Sequence, residues 1–323
     1  KSFMAKVKKI PIRKSRLKHF FERLRVVITN IFYMISKVSS IFCGSEGSLG
    51  TLVEAKVKIC PKPIHCALVV LHFHSFLESL LPIQQLLEYS LYSLEVVDKM
   101  VIEMAQQSPL MRGKVSWLEG KPTTFLVAEL DAGSVEELEN KVAHFMHRVR
   151  EDEIAVDYTL LTDSKDMQEV WELRKAGLGL IQSRRSFSRG IGFIEDVAVL
   201  PRELHAFMSD FLILLARHGK HEVGIYGHAG AGCIHLRPFI DLRSEKDLKI
   251  MRKMMEETAD LLLRYQGSLS GEHGDGLIRS WLNEKMFGKT LYQAFKDLKN
   301  IFDPFDLANP GKVVNAPDLF SNL

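Results

Sequence analysis

The sequence predicts an α+β fold: a mostly antiparallel sheet flanked by helices. Short apolar runs with strand alternation are separated by amphipathic stretches, several opening on a Ser with an acid three residues on. A strand–helix–strand pattern occurs twice, over 66–130 and 154–235, as a duplicated ferredoxin-like unit would produce. Two further apolar runs, 223–226 and 234–240, are joined only by a small-residue loop, which suits antiparallel neighbours.

In chain order, a basic head comes first. Residues 1–25 set ten Lys and Arg against the single acid Glu22, leaving the rest of the 323-residue chain mildly acidic although the formal net charge is +3. The head lacks interleaved aromatics and zinc spacing, so nucleic acid is not an expected partner. The apolar run 26–42 is interrupted by Asn30, Ser36, Lys37, Ser39 and Ser40, too broken for a membrane span and better read as a buried or interfacial helix. Next comes Gly44-Ser45-Glu46-Gly47-Ser48-Leu49-Gly50-Thr51, leading into an alternating strand pattern over 52–59 that Pro61 and Pro63 stop. Such a loop can bring amides against a phosphate or flat ring, or simply turn the chain.

A strand over 66–73 then precedes a helix opening at Ser75 with Glu78 in the capping-box position. Strand 94–97 leads into a helix to Gln107, and strand 123–130 into a helix from Ser134 and Glu137 through Arg150. Strand 154–161 precedes a long helix from Ser164 to about Ser183. Strand 191–199 follows, then a helix after Pro201 to about His218, with helices covering one face of the sheet. Beyond the paired runs, Ser244 and Asp247 cap a helix to Tyr265 that Gly267 stops. An amphipathic helix over 291–302 ends at Pro304 and Pro310.

Composition bounds the rest. With 46% hydrophobic and 26% charged residues the chain is an ordinary globular one. Its four cysteines form no paired CxxC pattern and no secreted disulfide framework, which points to a reducing, cytoplasmic setting, with the basic head available to meet the inner membrane.

The chemistry concentrates in two stretches, Gly227-His228-Ala229-Gly230-Ala231-Gly232-Cys233-Ile234-His235 and Gly271-Glu272-His273-Gly274-Asp275-Gly276. His228 and His235 bracket a glycine loop and can face each other across a strand pair. With Glu272 they make a divalent-metal site that leaves coordination positions open for substrate. His273 beside that carboxylate is a proton acceptor, and, in extended backbone, points the other way. Arg237, two residues after His235, can grip a carboxylate bidentately. Arg174 lies on a helix, where most arginines are solvated. Cys233 is expected to pack rather than ligate, Asp275 and Arg279 to brace the loop, and His65, His72, His74, His144, His147 and His221 to be ordinary histidines.

In order and spacing, 44–50, 171–174, 227–235, 271–276 and Asn309-Pro310-Gly311-Lys312 resemble the FAD-linked oxidase family with a vanillyl-alcohol-oxidase-type fold, which includes D-lactate dehydrogenase, the glycolate oxidase flavin subunit and D-2-hydroxyglutarate dehydrogenase. The resemblance implies an end of the FAD-binding domain at 41–62, a substrate (cap) domain at 63–267, and a catalytic loop with a C-terminal return to the FAD domain at 268–323. Residues 1–40 do not resemble what precedes this point in the family, so another chain segment is expected to complete FAD binding. By the same resemblance, Gly44, Ser45, Glu46, Gly47, Gly50 and Asn309 meet FAD. His228, His235 and Glu272 hold zinc or manganese, His273 is the base, and Arg174 contacts the substrate carboxylate, which Arg237 can reach by its place on the strand.

The implied activity is oxidation of a small D-2-hydroxy acid by hydride transfer to flavin, with electrons passing to a quinone, an electron-transfer protein or an iron–sulfur partner. Two alternatives use the same residues: a non-catalytic subunit that needs another chain, and a flavin-free metal-dependent hydrolase.

Overall fold

Nine consecutive residues of a near-continuous apolar run build an inner strand of the sheet. In the computed structural model, which describes residues 39–115, 117–118 and 123–321, His65–Phe73 forms β1 between two antiparallel neighbours. Alternation divides its side chains: Val69, Leu71 and Phe73 enter one apolar cluster, Leu68 and Val70 another on the opposite face. Each is at most 1% exposed, a burial that stabilises by about 1.5–3 kcal/mol per large aliphatic side chain.

The elements then follow the sequence pattern closely. After the short helix α1 (Ser39–Cys43) and β1 come helices α2 (Phe76–Leu80) and α3 (Ile83–Leu86), strand β2 (Ser93–Asp98), helix α4 (Lys99–Gln107) and strand β3 (Thr124–Ala132). Helix α5 (Val135–Glu151), strand β4 (Asp157–Leu161), helix α6 (Ser164–Ser183) and the two-residue strands β5 (Arg189–Gly190) and β6 (Val197–Ala198) come next. Helix α7 (Leu204–Arg217), strands β7 (Val223–His228) and β8 (Cys233–Ile240), and helices α8 (Glu245–Arg264), α9 (Gly276–Arg279) and α10 (Asn283–Phe302) complete the described chain. The anticipated caps form: Ser75, Ser134 and Ser244 Oγ accept from the amides of Glu78, Glu137 and Asp247.

All strand pairings are antiparallel, in the order β4-β1-β3-β2-β7-β8, with β5 and β6 sharing the far edge of β8. The first four strands have the ferredoxin-like order 4-1-3-2. A second unit runs β6–α7–β7–β8–α8 and closes through an isolated bridge between Ala198 and Ser268, giving the same order again. The duplication therefore exists with shifted boundaries, 65–161 and 197–268, and the units join edge to edge through β2 and β7.

Five expectations need correction. Helices cover both faces of the sheet: α2, α5, α7 and α8 supply the larger cluster, α4 and α6 the smaller. Residues 191–196 form no strand, because Asp196 adopts φ 72° and only 197–198 pair with β8. Residues 51–63 form no strand either. They have no neighbouring strand, and Leu52, Val53, Val57 and Ile59 are 74–95% exposed. The stop after α8 is made by Gln266 at φ 54°, while Gly267 has no positive φ. The helix expected at 291–302 begins at Asn283 and kinks at Gly288. The basic head and most of the 26–42 run lie outside the described residues. Among those residues no helix is long and apolar enough to cross a membrane.

Candidate active site

The β7–β8 hairpin presents its chemistry to the face covered by α4 and α6. Tyr226 pairs with His235 and His228 with Cys233 across the register, so these side chains share one face. Gly232 makes the turn possible: its φ is 69°, and any side chain there would strike the Val199 carbonyl. The His228 and His235 rings meet edge to face, centroids 5.3 Å apart.

The second glycine-rich stretch returns to this face because Asp196 pulls it in. That fully buried carboxylate accepts from the amides of Glu272 (3.1 Å) and His273 (2.8 Å), from Ser270 Oγ (2.8 Å) and from Cys233 Sγ (3.3 Å). Burial pushes the Asp196 carboxyl up, but these donors prevail and hold it below its ordinary value. Burial and this acceptor push the Cys233 thiol up, so Cys233 stays protonated.

Glu272 Oε1 is the point of convergence. It lies 3.1 Å from His228 Nε2, 3.3 Å from His235 Nε2 and 3.3 Å from His273 Nε2. His273 does not point away: its ring stacks on His235 at 4.9 Å, 2° from parallel. Donors about 2.1 Å from a shared cation lie about 3.0–3.4 Å from one another, so this spacing fits the edges of a coordination shell. Asp196, His235, Glu272 and His273 also place ligand atoms within 4.8 Å of one another. Asp196 already accepts from four donors, so His228 is the better ligand. His235 is pushed down to about 3, by burial first and then by Arg174, His273 and His228, so its buried ring is the neutral imidazole that a cation needs. Its Nδ1 has no partner among the described residues. These residues fit a divalent cation, and the Glu272 and His273 side chains, 46% and 43% exposed, open it to solvent.

Two carboxylates that the sequence reading did not single out stand behind the histidines. Glu95 Oε1 meets His228 Nδ1 at 2.7 Å and its Oε2 takes Arg174 Nε at 2.8 Å. The Glu95 hydrogen bond holds His228 above its ordinary value, with burial opposing. Glu195 Oε1 lies 3.3 Å from His273 Nδ1, and its Oε2 pairs with Arg237. Both expected substrate arginines are therefore engaged by internal carboxylates, with Arg174 also 4.9 Å over the Tyr226 ring. A lone acid in the apolar run Ser93-Leu94-Glu95-Val96-Val97 was the available signal for Glu95. Asp196 and Glu195 gave none, because their positions depend on a left-handed residue in a loop.

Residues 44–50 lie against the same loop. Glu46 Oε1 and Oε2 accept from the amides of Asp275 (2.6 Å) and Gly276 (2.9 Å), and Asn309 Nδ2 donates to the Glu46 carbonyl (2.6 Å). The Glu46 side chain is thus directed to the protein's own backbone. Ser45 Oγ donates to the Phe42 carbonyl, and Gly44 has its amide on the Ser40 carbonyl. Gly47 and Gly50 have open space where a Cβ would stand, leaving bare backbone beside Asn309 and the loop, which fits one edge of a flat cofactor. Arg279 is buried and donates to the Glu195 and Gly274 carbonyls, and Asp275 accepts from Asn283, so both brace the loop.

Among known proteins, the chain is similar to D-2-hydroxyglutarate dehydrogenase of Pseudomonas putida, 32% identical over 282 residues that cover 85% of this chain and 28% of that protein. It is 29% identical to the enzyme of the same name from Haemophilus influenzae, over 87% of this chain and 28% of that protein. It is 24% identical to D-lactate dehydrogenase of Archaeoglobus fulgidus, over 84% of this chain and 56% of that one. The chain thus spans under a third of the length of the first two. Solved structures share the fold at low identity: p-cresol methylhydroxylase, TM-score 0.56 and 11% identity over 78% of this chain and 53% of that one, and 4-ethylphenol oxidase from Gulosibacter chungangensis, TM-score 0.51 and 11% identity over 81% and 56%. Residues 62–313 match the family described as FAD linked oxidases, C-terminal domain, and the chain belongs to that family.

Proposed function

We propose that this chain is the substrate-binding and proton-transfer part of an FAD-dependent dehydrogenase acting on a D-2-hydroxy acid of the lactate or 2-hydroxyglutarate class. The observation that carries the reading is the convergence of three imidazole Nε2 atoms on one oxygen of Glu272, in a chain of this family. His228, His235 and Glu272 would hold a zinc or manganese ion, and Gly44–Gly50 backbone with Asn309 would meet one edge of FAD. When bound, the cation would polarise the substrate's α-hydroxyl, and FAD would accept the α-hydrogen as hydride and pass electrons to a quinone, an electron-transfer protein or an iron–sulfur partner. His273 Nε2 takes the hydroxyl proton. Arg174 and Arg237 provide positive charge for a substrate carboxylate, although each already holds an internal one.

Metal content after loading with Zn²⁺ or Mn²⁺ and desalting tests the ligand set. About one ion per chain is expected, falling at least tenfold in Glu272→Gln. An unchanged ratio removes Glu272 from the ligands. After reconstitution with FAD, D-lactate or D-2-hydroxyglutarate should bleach the flavin, and His273→Ala should slow bleaching by about 10²–10⁴-fold. Hydrolytic turnover with metal alone would favour a hydrolase instead. A second reading, that another polypeptide completes the FAD site, is supported by the bare backbone at Gly47 and Gly50, which offers a flat cofactor one edge only. In that case FAD stays loose until that polypeptide is added.

A further inference from the structure

Two arrangements in the site repeat each other, except that Arg174 engages through Nε and Arg237 through Nη2. In each, a glutamate 7% exposed offers Oε1 to the Nδ1 of a histidine and Oε2 to an arginine. One is Arg174–Glu95–His228, with Glu95 on β2; the other is Arg237–Glu195–His273, with Glu195 in the loop before β6. The arginine pairs a buried carboxylate that would otherwise be costly. A carboxylate oxygen at Nδ1 accepts the Nδ1 proton, so that Nε2 is the nitrogen left to share a cation with Glu272. His235 has no such partner: its Nδ1 meets none among the described residues, and its ring is held by stacking on His273 and by Tyr226, 5.1 Å away.

The two relays differ in tightness. Glu95 meets His228 at 2.7 Å, hydrogen-bond range, while Glu195 stands 3.3 Å from His273. A close clamp suits a ring held rigidly on a cation; a looser one leaves a ring room to shift toward a substrate. We propose that Glu95 and Glu195 are positioning residues that divide the histidines by task, Glu95 fixing His228 as a metal ligand and Glu195 aligning His273 as the proton acceptor. Because Glu95 belongs to the first ferredoxin-like unit and His228 to the second, the β2–β7 junction is part of the site. This division rests on the metal-and-base reading above.

The test is a competition titration of the metal-free full chain with Mn²⁺ against a chromophoric chelator, in wild type, Glu95→Gln and Glu195→Gln. Expected are a loss of affinity of about 10–100-fold in Glu95→Gln and under threefold in Glu195→Gln. Equal losses in both, or none in Glu95→Gln, overturn the division. Should Glu95→Gln fold poorly because Arg174 is left unpaired, Glu95→Gln/Arg174→Gln removes both charges and should show the same loss. Nitrogen-15 spectra of the metal-free chain give a readout independent of metal. His228 and His273 should be protonated at Nδ1, with or without a second proton on Nε2, His228 losing the Nδ1 proton only in Glu95→Gln and His273 only in Glu195→Gln. Wild type that binds no Mn²⁺ yet shows these Nδ1 protons sinks the metal reading alone; wild type with rings protonated on Nε2 only sinks the relays.

Discussion

Asp196 shows how much of the site depends on one side chain that binds nothing itself. Its two oxygens take two loop amides, a hydroxyl and a thiol, and the two amides belong to Glu272 and His273. Asn at this position keeps one acceptor oxygen but turns an NH₂ toward donors. Asp196→Asn should therefore cost about 2–4 kcal/mol in urea unfolding and loosen metal binding with it. Unchanged stability together with full metal affinity would show that the loop is held elsewhere. His228, His235, Glu272 and His273 were legible because glycines flank them in two compact motifs. The carboxylates behind them were not: Glu195 and Asp196 acquire their partners only when a loop with φ 72° at Asp196 folds under β8. The expectation that His273 points away from Glu272 assumed extended backbone, whereas Gly274 at φ 81° turns the chain within the loop.

At the scale of elements, periodicity and caps located β1, β2, β3 and the long helices, since each signal there is local. Strand identity is not local. Residues 52–59 alternate as a strand should, yet without a neighbour to pair with they form none. The 191–199 run keeps only two residues of pairing because Asp196 leaves the β region. The β7–β8 turn is the opposite case, where one residue sets the geometry of the whole hairpin. Gly232 combines positive φ with contact against the Val199 carbonyl, so Gly232→Ala must pay for left-handed backbone and displace β6 as well. A loss of about 2–4 kcal/mol is expected, with His228 and His235 drawn apart and Mn²⁺ affinity reduced. Retention of both in Gly232→Ala would mean that the turn tolerates a repacked form.

Across the whole molecule, the two ends of the described chain are tied to each other and to the catalytic loop. Phe42 of α1 meets Phe302 of α10 edge to face at 5.3 Å. Lys299, 4% exposed, donates to the Ser48 carbonyl (2.8 Å), the Ala308 carbonyl (2.6 Å) and Asp303 Oδ2 (2.6 Å). Asn309 then reaches the Glu46 carbonyl, and the Glu46 carboxylate holds the amides of Asp275 and Gly276. Anything that releases the tail should therefore reach the loop bearing His273. Asp303 is the titratable link. Lys299 first, and then the amides of Ala308 and Leu307, hold its carboxyl down at about 2. An unfolded Asp titrates near ~3.9, so the unfolded tail takes up a proton first as pH falls. The latch contributes fully above about pH 4 and is lost as pH falls through about 2. Hydrogen exchange at the Leu307 and Ala308 amides, compared with β1 amides in the same sample, should show protection fading in that window while the sheet stays protected. Asp303→Asn should lack the pH-dependent step and exchange faster at neutral pH, and slower-exchanging tail amides in that variant would refute the latch. If the chain of contacts transmits this loosening, Asp275 and Gly276 amides exchange faster in Asp303→Asn as well.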